Sequence, residues 1–134
     1  MNRKLNIVLL AIWVSLMLFA ILAPEDSLPK DIGFLSFIPF FDKFVHAGMF
    51  GGFAFLLFLL LEGKNKIQRA LLTTFLFSIS FGLLTEGLQL FLTEIIKRKF
   101  EWMDFLADII GVVIALGLGC VIAYLNRKNK KVEE

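Results

Sequence analysis

The stretch LNIVLLAIWVSLMLFAILA, residues 5–23, decides the class of this protein. Its only clearly polar members are Asn6 and Ser15. A helix needs about 20 predominantly apolar residues to cross the hydrocarbon core of a bilayer. A signal peptide would have an apolar core of only about 7–15 residues followed by a cleavage site, whereas Pro24 directly follows this stretch. We therefore expect a retained membrane span.

Three further apolar stretches of similar length follow, at residues 44–61, 70–92 and 102–125. Because lipid cannot hydrogen-bond to free backbone groups, such spans should be helical. The whole chain is also apolar: 58% of its 134 residues are hydrophobic, 16 are Phe, and the mean hydropathy is +0.81. That composition is too apolar for one soluble core of this size. The sequence predicts an all-α, four-helix transmembrane bundle that forms a single domain, residues 1–134.

Lysine and arginine are unevenly divided between the two ends of these spans. Nine lie at the N-terminus, between the second and third spans, or after the fourth: Arg3, Lys4, Lys64, Lys66, Arg69, Arg127, Lys128, Lys130 and Lys131. Five lie in the other two loops: Lys30, Lys43, Lys97, Arg98 and Lys99. Because cytoplasmic loops carry the excess, we expect a multi-pass protein of the cell membrane with both termini cytoplasmic. The basic residues flank spans and form no separate patch, so no nucleic-acid partner is expected.

Polar residues recur at helical spacing in the last three spans. They lie near the end of each span that the predicted topology places on the outer side of the membrane. They are Asp42 and His46, Glu86 and Gln89, and Asp104 and Asp108. Spacings of three or four put each pair on one face of its helix. A carboxylate near the middle of a span costs about 2.5–3.5 kcal/mol, and less toward the interface. Glu86 and Asp108 must therefore be neutral, paired or facing water. Their candidate partners are His46, Lys43 and Arg98.

The first span and the small residues of the others are interpreted as structural. The first has no ionisable residue in its apolar run, so we expect it to support the bundle from outside the polar site. Small residues, several at spacings of four, predict close contacts between helices. They are Gly48, Gly52, Gly82, Gly111, Ala115 and Gly119. The single Cys120 lies inside the fourth span, which predicts neither a disulfide nor a lipoprotein anchor.

Three motifs on separate spans carry a resemblance to a known family. They are Asp42-Lys43-x-x-His46, Glu86-x-x-Gln89, and Arg98-x-Phe100-x-Trp102-x-Asp104-x-x-x-Asp108-x-x-Gly111. In this order they resemble the VanZ-like family, named for a protein associated with teicoplanin resistance, over residues 42 to about 119. Asp108 stands where the family usually has Asn, and the link from Gln89 to Arg98 is a couple of residues longer than in many relatives. The resemblance implies an integral membrane protein, in some members tied to lower glycopeptide susceptibility, and supplies no known reaction.

The residues leave three functions open. The first is a polar, outward-facing pocket that binds or modifies a cell-envelope lipid or lipid-linked precursor and influences teicoplanin susceptibility. Its residues would be Asp42, Lys43, His46, Glu86, Gln89, Arg98, Asp104 and Asp108. The second is a membrane-surface enzyme with Glu86 or Asp108 as general base and His46 as its partner, with or without a metal. The third is a small proton-coupled transporter, because acids inside membranes commonly relay protons.

No organic cofactor is expected, and the sequence does not decide whether a metal is bound. Carboxylates with one histidine suit Mg²⁺ or Mn²⁺ better than structural Zn²⁺, which typically takes thiolates or several imidazoles.

The same residues also have purely structural explanations. Asp42 and His46 lie where they would cap or anchor a helix at the interface, and Asp104 lies in a first turn, where the helix dipole favours an acid. Glu86 and Gln89 are suited to hydrogen bonds between helices, which average about 0.6 kcal/mol in membranes. Basic residues beside a span bind lipid phosphates. Asp108, one turn deeper than Asp104, is the hardest to explain in this way.

Overall fold

A computed structural model describes residues 2–24, 39–62, 66–96 and 101–133, and nearly all of these are helical. The helices are α1 (Arg3–Leu22), α2 (Phe41–Glu62), α3 (Ile67–Phe91), the short α4 (Thr93–Ile96) and α5 (Trp102–Glu133). Four of them are long and apolar enough to cross a membrane, with α5 counted to Asn129. The prediction of four long helices is therefore confirmed. Three of them begin two or three residues earlier than the apolar runs suggest, and α5 continues beyond the predicted end at residue 125.

The four long helices alternate in direction along the chain, and side-chain contacts show which ends meet. Gln89, near the end of α3, hydrogen-bonds to Ile21 at the end of α1. At the start of α2, Lys43 is paired with Asp104 at the start of α5. Helices α1 and α3 thus run opposite to α2 and α5. Helix α2 lies in the middle, with its most extensive contact on α5 and smaller contacts on α3 and α1.

Glycines allow the backbones of α2 and α5 to touch. A Cβ added at Gly111 would overlap the backbone of Ala47, and one added at Gly51 would lie 3.1 Å from the carbonyl oxygen of Gly111. Near the other end of this contact, Gly119 packs against the ring of Phe58. Since backbone atoms cannot move aside as side chains do, the spacing of these two helices depends on Gly111.

The other predicted contact residues differ in what they meet. Gly52 faces the indole of Trp13 on α1, and a Cβ added at Gly82 would lie 3.4 Å from Phe50. Ala115 is buried in the core. Gly48 is a correction to the sequence prediction, because a Cβ there would meet no atom of a described residue within 4 Å. It is rotated away from its neighbours and lines an open apolar groove of about 450 Å³ between α2 and α5.

The distribution of side chains is the reverse of that in a water-soluble bundle. Large apolar side chains cover the outside: Leu16, Phe19, Phe77, Leu84 and Ile114, for example, are each more than half exposed. A core of aromatic and aliphatic residues includes Met17, Ile21, Phe50, Phe58 and Val112. Several polar residues are buried: Asn6, His46, Thr74, Ser78, Thr85, Glu86, Gln89 and Asp108. An apolar exterior around buried polar groups is compatible with a lipid bilayer as the surroundings.

Candidate functional site

Charged side chains from α2, α3 and α5 meet at one end of the bundle, where α2 and α5 begin and α3 ends. They form two layers. We call the outer layer, Asp42, Lys43, Glu101 and Asp104, the rim cluster. We call the layer beneath it, His46, Glu86 and Asp108, the buried cluster. Each of α2 and α5 contributes to both layers, because His46 lies one turn after Lys43 and Asp108 one turn after Asp104.

Lys43 is the centre of the rim cluster. Its Nζ lies 2.5 Å from Asp104 Oδ1, 2.6 Å from Glu101 Oε2 and 2.7 Å from Asp42 Oδ2. The Lys43 side chain is 17% exposed, whereas those of Asp42 and Glu101 are 63% and 57% exposed. One ammonium group therefore holds three carboxylates, two of which remain open to the surroundings.

Glu101 was missed by the sequence prediction. It directly precedes α5, so it falls outside the apolar run that defined the fourth span. A signal was present, because Glu101, Asp104 and Asp108 are spaced three and four residues apart and so share one face of a helix extended backwards by one residue.

The buried cluster joins α2, α3 and α5 beneath the rim. His46 Nδ1 lies 3.1 Å from Asp108 Oδ1, and His46 Nε2 lies 3.8 Å from Asp104 Oδ2, so the imidazole connects the two layers. His46 is 7% exposed, and Glu86 and Asp108 are each 1% exposed. One potential metal-ligating atom from each of the three lies within 4.8 Å of the others. An imidazole and two carboxylates are thus held together away from solvent.

Glu86 also supports the start of α5. Its Oε2 accepts a hydrogen bond of 3.4 Å from the backbone N–H of Glu101, a group with no carbonyl partner earlier in that helix. Of the three partners that the sequence suggested, His46 lies in the same cluster, Lys43 is bonded to the rim acids, and Arg98 lies outside the described residues. Glu86 therefore links the buried cluster to the rim through the backbone of α5.

Gln89 does not join either cluster. Its Nε2 donates a hydrogen bond of 3.1 Å to the carbonyl oxygen of Ile21, at the end of α1. This corrects the prediction that Gln89 belongs to the polar pocket: it holds the last turn of α1 against α3 instead. The carbonyl groups of a last helical turn have no partner within the helix, so the amide of Gln89 satisfies one of them.

The arrangement limits the chemistry that is possible at this end of the molecule. Carboxylates outnumber basic groups in the two clusters, so they are suited to binding cations and accepting hydrogen bonds. His46 beside Asp108 is suited to moving a proton. Comparisons of the chain with protein-family models, with curated proteins and with solved structures gave no match. The geometry of the two clusters is therefore the basis for a functional proposal.

Proposed function

We propose that this chain is a multi-pass protein of the cell membrane, of the VanZ-like kind, whose polar end binds a cell-envelope lipid or lipid-linked precursor. One observation carries the proposal: a two-layer network of charged side chains lies at one end of an otherwise apolar bundle. Ionisable residues inside membrane spans are costly, and where they occur they commonly mark ligand or ion pathways. Helix packing alone does not need five carboxylates in one place.

The exposed acids of the rim cluster define the chemistry of the ligand. Asp42 and Glu101 present carboxylates that are more than half exposed, and Lys43 fixes their positions. Carboxylates accept hydrogen bonds from hydroxyl, amide and ammonium groups, which are abundant in sugar and peptide headgroups. A phosphate would instead contact the basic run Lys97, Arg98 and Lys99, which ends two residues before Glu101 in the sequence. The apolar chains of such a ligand would stay in the bilayer beside the bundle.

The uneven distribution of basic residues supports an outward-facing position for this site. The opposite end of the bundle carries Arg3, Lys4, Lys66, Arg69 and Arg127. Under the positive-inside rule that end is cytoplasmic, which turns the rim cluster toward the envelope. A protein that binds a precursor there would compete with glycopeptides such as teicoplanin for access to it, which agrees with the role that the VanZ-like resemblance implies.

Binding to a lipid-linked precursor tests this proposal. The full-length protein in lipid nanodiscs would be titrated with a fluorescent polyprenyl-diphosphate-linked aminosugar. We expect Glu101→Gln and Arg98→Ala each to weaken binding by about tenfold or more, since a charge-assisted hydrogen bond contributes about 1.5–3 kcal/mol. Glu62→Gln is the matched control, because Glu62 pairs with Arg127 at the opposite end of the bundle.

The same variants would be compared for teicoplanin susceptibility in cells where the wild-type protein lowers it. If Glu101→Gln and Arg98→Ala bind the precursor and protect cells as the wild type does, the proposed role fails.

The contact between His46 and Asp108 favours one alternative, an acid/base enzyme at the membrane surface. A carboxylate 3.1 Å from an imidazole nitrogen is the arrangement that orients a histidine as general base. Such an enzyme would chemically alter the precursor, and not only bind it. Mass spectrometry of the precursor after incubation with the protein in nanodiscs distinguishes the two, because a binding protein returns it unchanged.

A further inference from the structure

The buried cluster brings together three side chains whose donor atoms could hold a metal ion. Two atoms bound to one Mg²⁺-like ion at about 2.0–2.1 Å, at right angles to each other, lie about 3 Å apart. His46 Nδ1 and Asp108 Oδ1 are 3.1 Å apart, and one oxygen of Glu86 completes a set within 4.8 Å. Three separate helices supply these atoms, so the three ligands are held at fixed positions by the packing of the bundle.

A second observation points to a missing partner. Asp108 Oδ2 is buried and makes no hydrogen bond to any residue in the described part of the chain. It is directed toward α3, because a Cβ added at Gly82 would lie 3.5 Å from it, and Glu86 lies one turn beyond Gly82. A buried carboxylate oxygen without a partner is costly, by about 1–3 kcal/mol or more for a charged group. A cation between Asp108 and Glu86 would satisfy it.

The charges of the two clusters favour a cation over a neutral or anionic ligand. Among the described residues the clusters contain five carboxylates and two basic groups, Lys43 and His46. Lys43 is already within 2.7 Å of three acids in the rim. The two buried acids, Glu86 and Asp108, are left with the imidazole of His46.

A carboxylate also lies near the second ring nitrogen of His46. A metal-bound histidine nearly always donates its second N–H to a carboxylate, a carbonyl or a water, which fixes the ring. With Nδ1 toward Asp108, Nε2 lies 3.8 Å from Asp104 Oδ2, and the other oxygen of Asp104 is held by Lys43. At this distance Asp104 attracts the ring electrostatically but does not accept a hydrogen bond from it.

We propose that His46, Glu86 and Asp108 bind one divalent metal ion of the Mn²⁺ or Mg²⁺ class. One imidazole with two carboxylates is a mostly oxygen donor set, which suits these ions, and Mn²⁺ accepts the nitrogen more readily than Mg²⁺ does. All three ligands belong to the chain, so the site does not depend on the proposed lipid ligand.

Titration with Mn²⁺ alone tests the site. The full-length protein, purified in detergent and stripped with a chelator, would be titrated while electron paramagnetic resonance measures free Mn²⁺. We expect one ion per chain. Glu86→Gln and Asp108→Asn should each weaken binding by more than about tenfold, the lower limit for loss of even an outer-shell partner.

Asp42→Asn and Glu101→Gln are the matched controls, because these acids form a second potential cation site with Asp104 in the rim. We expect both to bind Mn²⁺ as the wild type does. The proposal is overturned if the wild type binds no stoichiometric Mn²⁺, if binding survives both substitutions in the buried cluster, or if it is lost in the rim variants alone.

A spectroscopic measurement keeps the test decisive should a variant fail to fold. Pulsed electron paramagnetic resonance of Mn²⁺ bound to the wild-type protein should show coupling to an imidazole nitrogen, and His46→Gln should abolish it. Bound Mn²⁺ without nitrogen coupling in the wild type would exclude His46 as a ligand. Because no lipid precursor is present in these experiments, their failure would not bear on precursor binding.

Discussion

At the scale of single residues, Lys43 holds the rim cluster together. Its removal would leave the carboxylates of Asp42, Glu101 and Asp104 facing one another without a counter-ion within the cluster. An exposed ion pair contributes about 0–1 kcal/mol, whereas breaking a buried one costs about 3–5 kcal/mol. Lys43 is mostly but not fully buried, so we expect Lys43→Met to lower the free energy of unfolding by about 1–3 kcal/mol. Unfolding in mixed detergent micelles measures it.

Two further variants test whether the lost charge of Lys43 causes this effect. Lys43→Arg keeps the charge and should remain close to the wild type. Asp104→Asn in the Lys43→Met background removes one repelling charge and should recover part of the lost stability. Equal stability of Lys43→Met and the wild type would mean that the rim acids are neutralised by another group.

The spacing of single residues predicts much of this site. Pairs at three or four residues place Asp104 and Asp108 on one face, and the cost of a charge inside the membrane predicts that the deeper acid needs a partner such as His46. The structure brings these residues together at one end. Spacing could not predict that Gln89 bonds to the carbonyl of Ile21, because every residue carries a carbonyl and only the fold decides which one a side chain reaches.

At the scale of helices, the contact between α2 and α5 depends on one glycine. A Cβ at Gly111 would overlap the backbone of Ala47, so Gly111→Ala must push the helices apart or rotate them. Overpacking costs about 1–3 kcal/mol where side chains can adjust, and backbone atoms cannot. We expect Gly111→Ala to lower the thermal unfolding temperature strongly. Gly48→Ala is the control, because a Cβ there contacts none of the described residues. Equal effects of the two would show that α2 and α5 do not approach as described.

Substitutions in helix α3 should increase stability, whereas Gly111→Ala should decrease it. Its buried face carries Thr74 and Ser78 in line with Gly82 and Glu86, at spacings of four. The hydroxyls of Thr74 and Ser78 are buried and make no hydrogen bond to a described residue. Because an unsatisfied buried polar group costs about 1–3 kcal/mol, Thr74→Val and Ser78→Ala should raise the free energy of unfolding by up to that amount. The same unfolding assay measures it, and a loss of stability would reveal a partner for these hydroxyls, such as internal water.

The sequence predicts the number and length of the helices well, but it does not predict how each helix is rotated about its axis. Long apolar runs predict the number and approximate bounds of the four long helices, because the thickness of the bilayer fixes the length of a span. The rotation of each helix about its axis is not fixed in that way, since lipid accepts any apolar face. Gly48 and Gly51 are equally suited to a close contact by residue type, and only packing decides that Gly51 faces Gly111.

At the scale of the whole molecule, the two ends of the bundle differ in chemistry. One end carries the rim and buried clusters. At the other end Arg127 donates two hydrogen bonds to Glu62, one of them 2.7 Å long, and fastens α5 to α2. In the described part of the chain, the rim cluster is the group of charged side chains with acids open to a ligand. These acids are Asp42 and Glu101. The side of the membrane that this end faces therefore decides which class of ligand it meets.

Labelling of single cysteines in intact cells determines that side. In a Cys120→Ala background, Asp42→Cys marks the polar end, and Lys128→Cys marks the opposite one; both positions are exposed. The excess of basic residues at the second end predicts that it is cytoplasmic. We expect a membrane-impermeant maleimide to label Asp42→Cys in intact cells and Lys128→Cys after permeabilisation alone. The reverse pattern would turn the acids toward the cytoplasm, where an envelope precursor on the outer surface cannot reach them. The metal site would be unaffected by that result, since its ligands lie beneath the rim on either orientation.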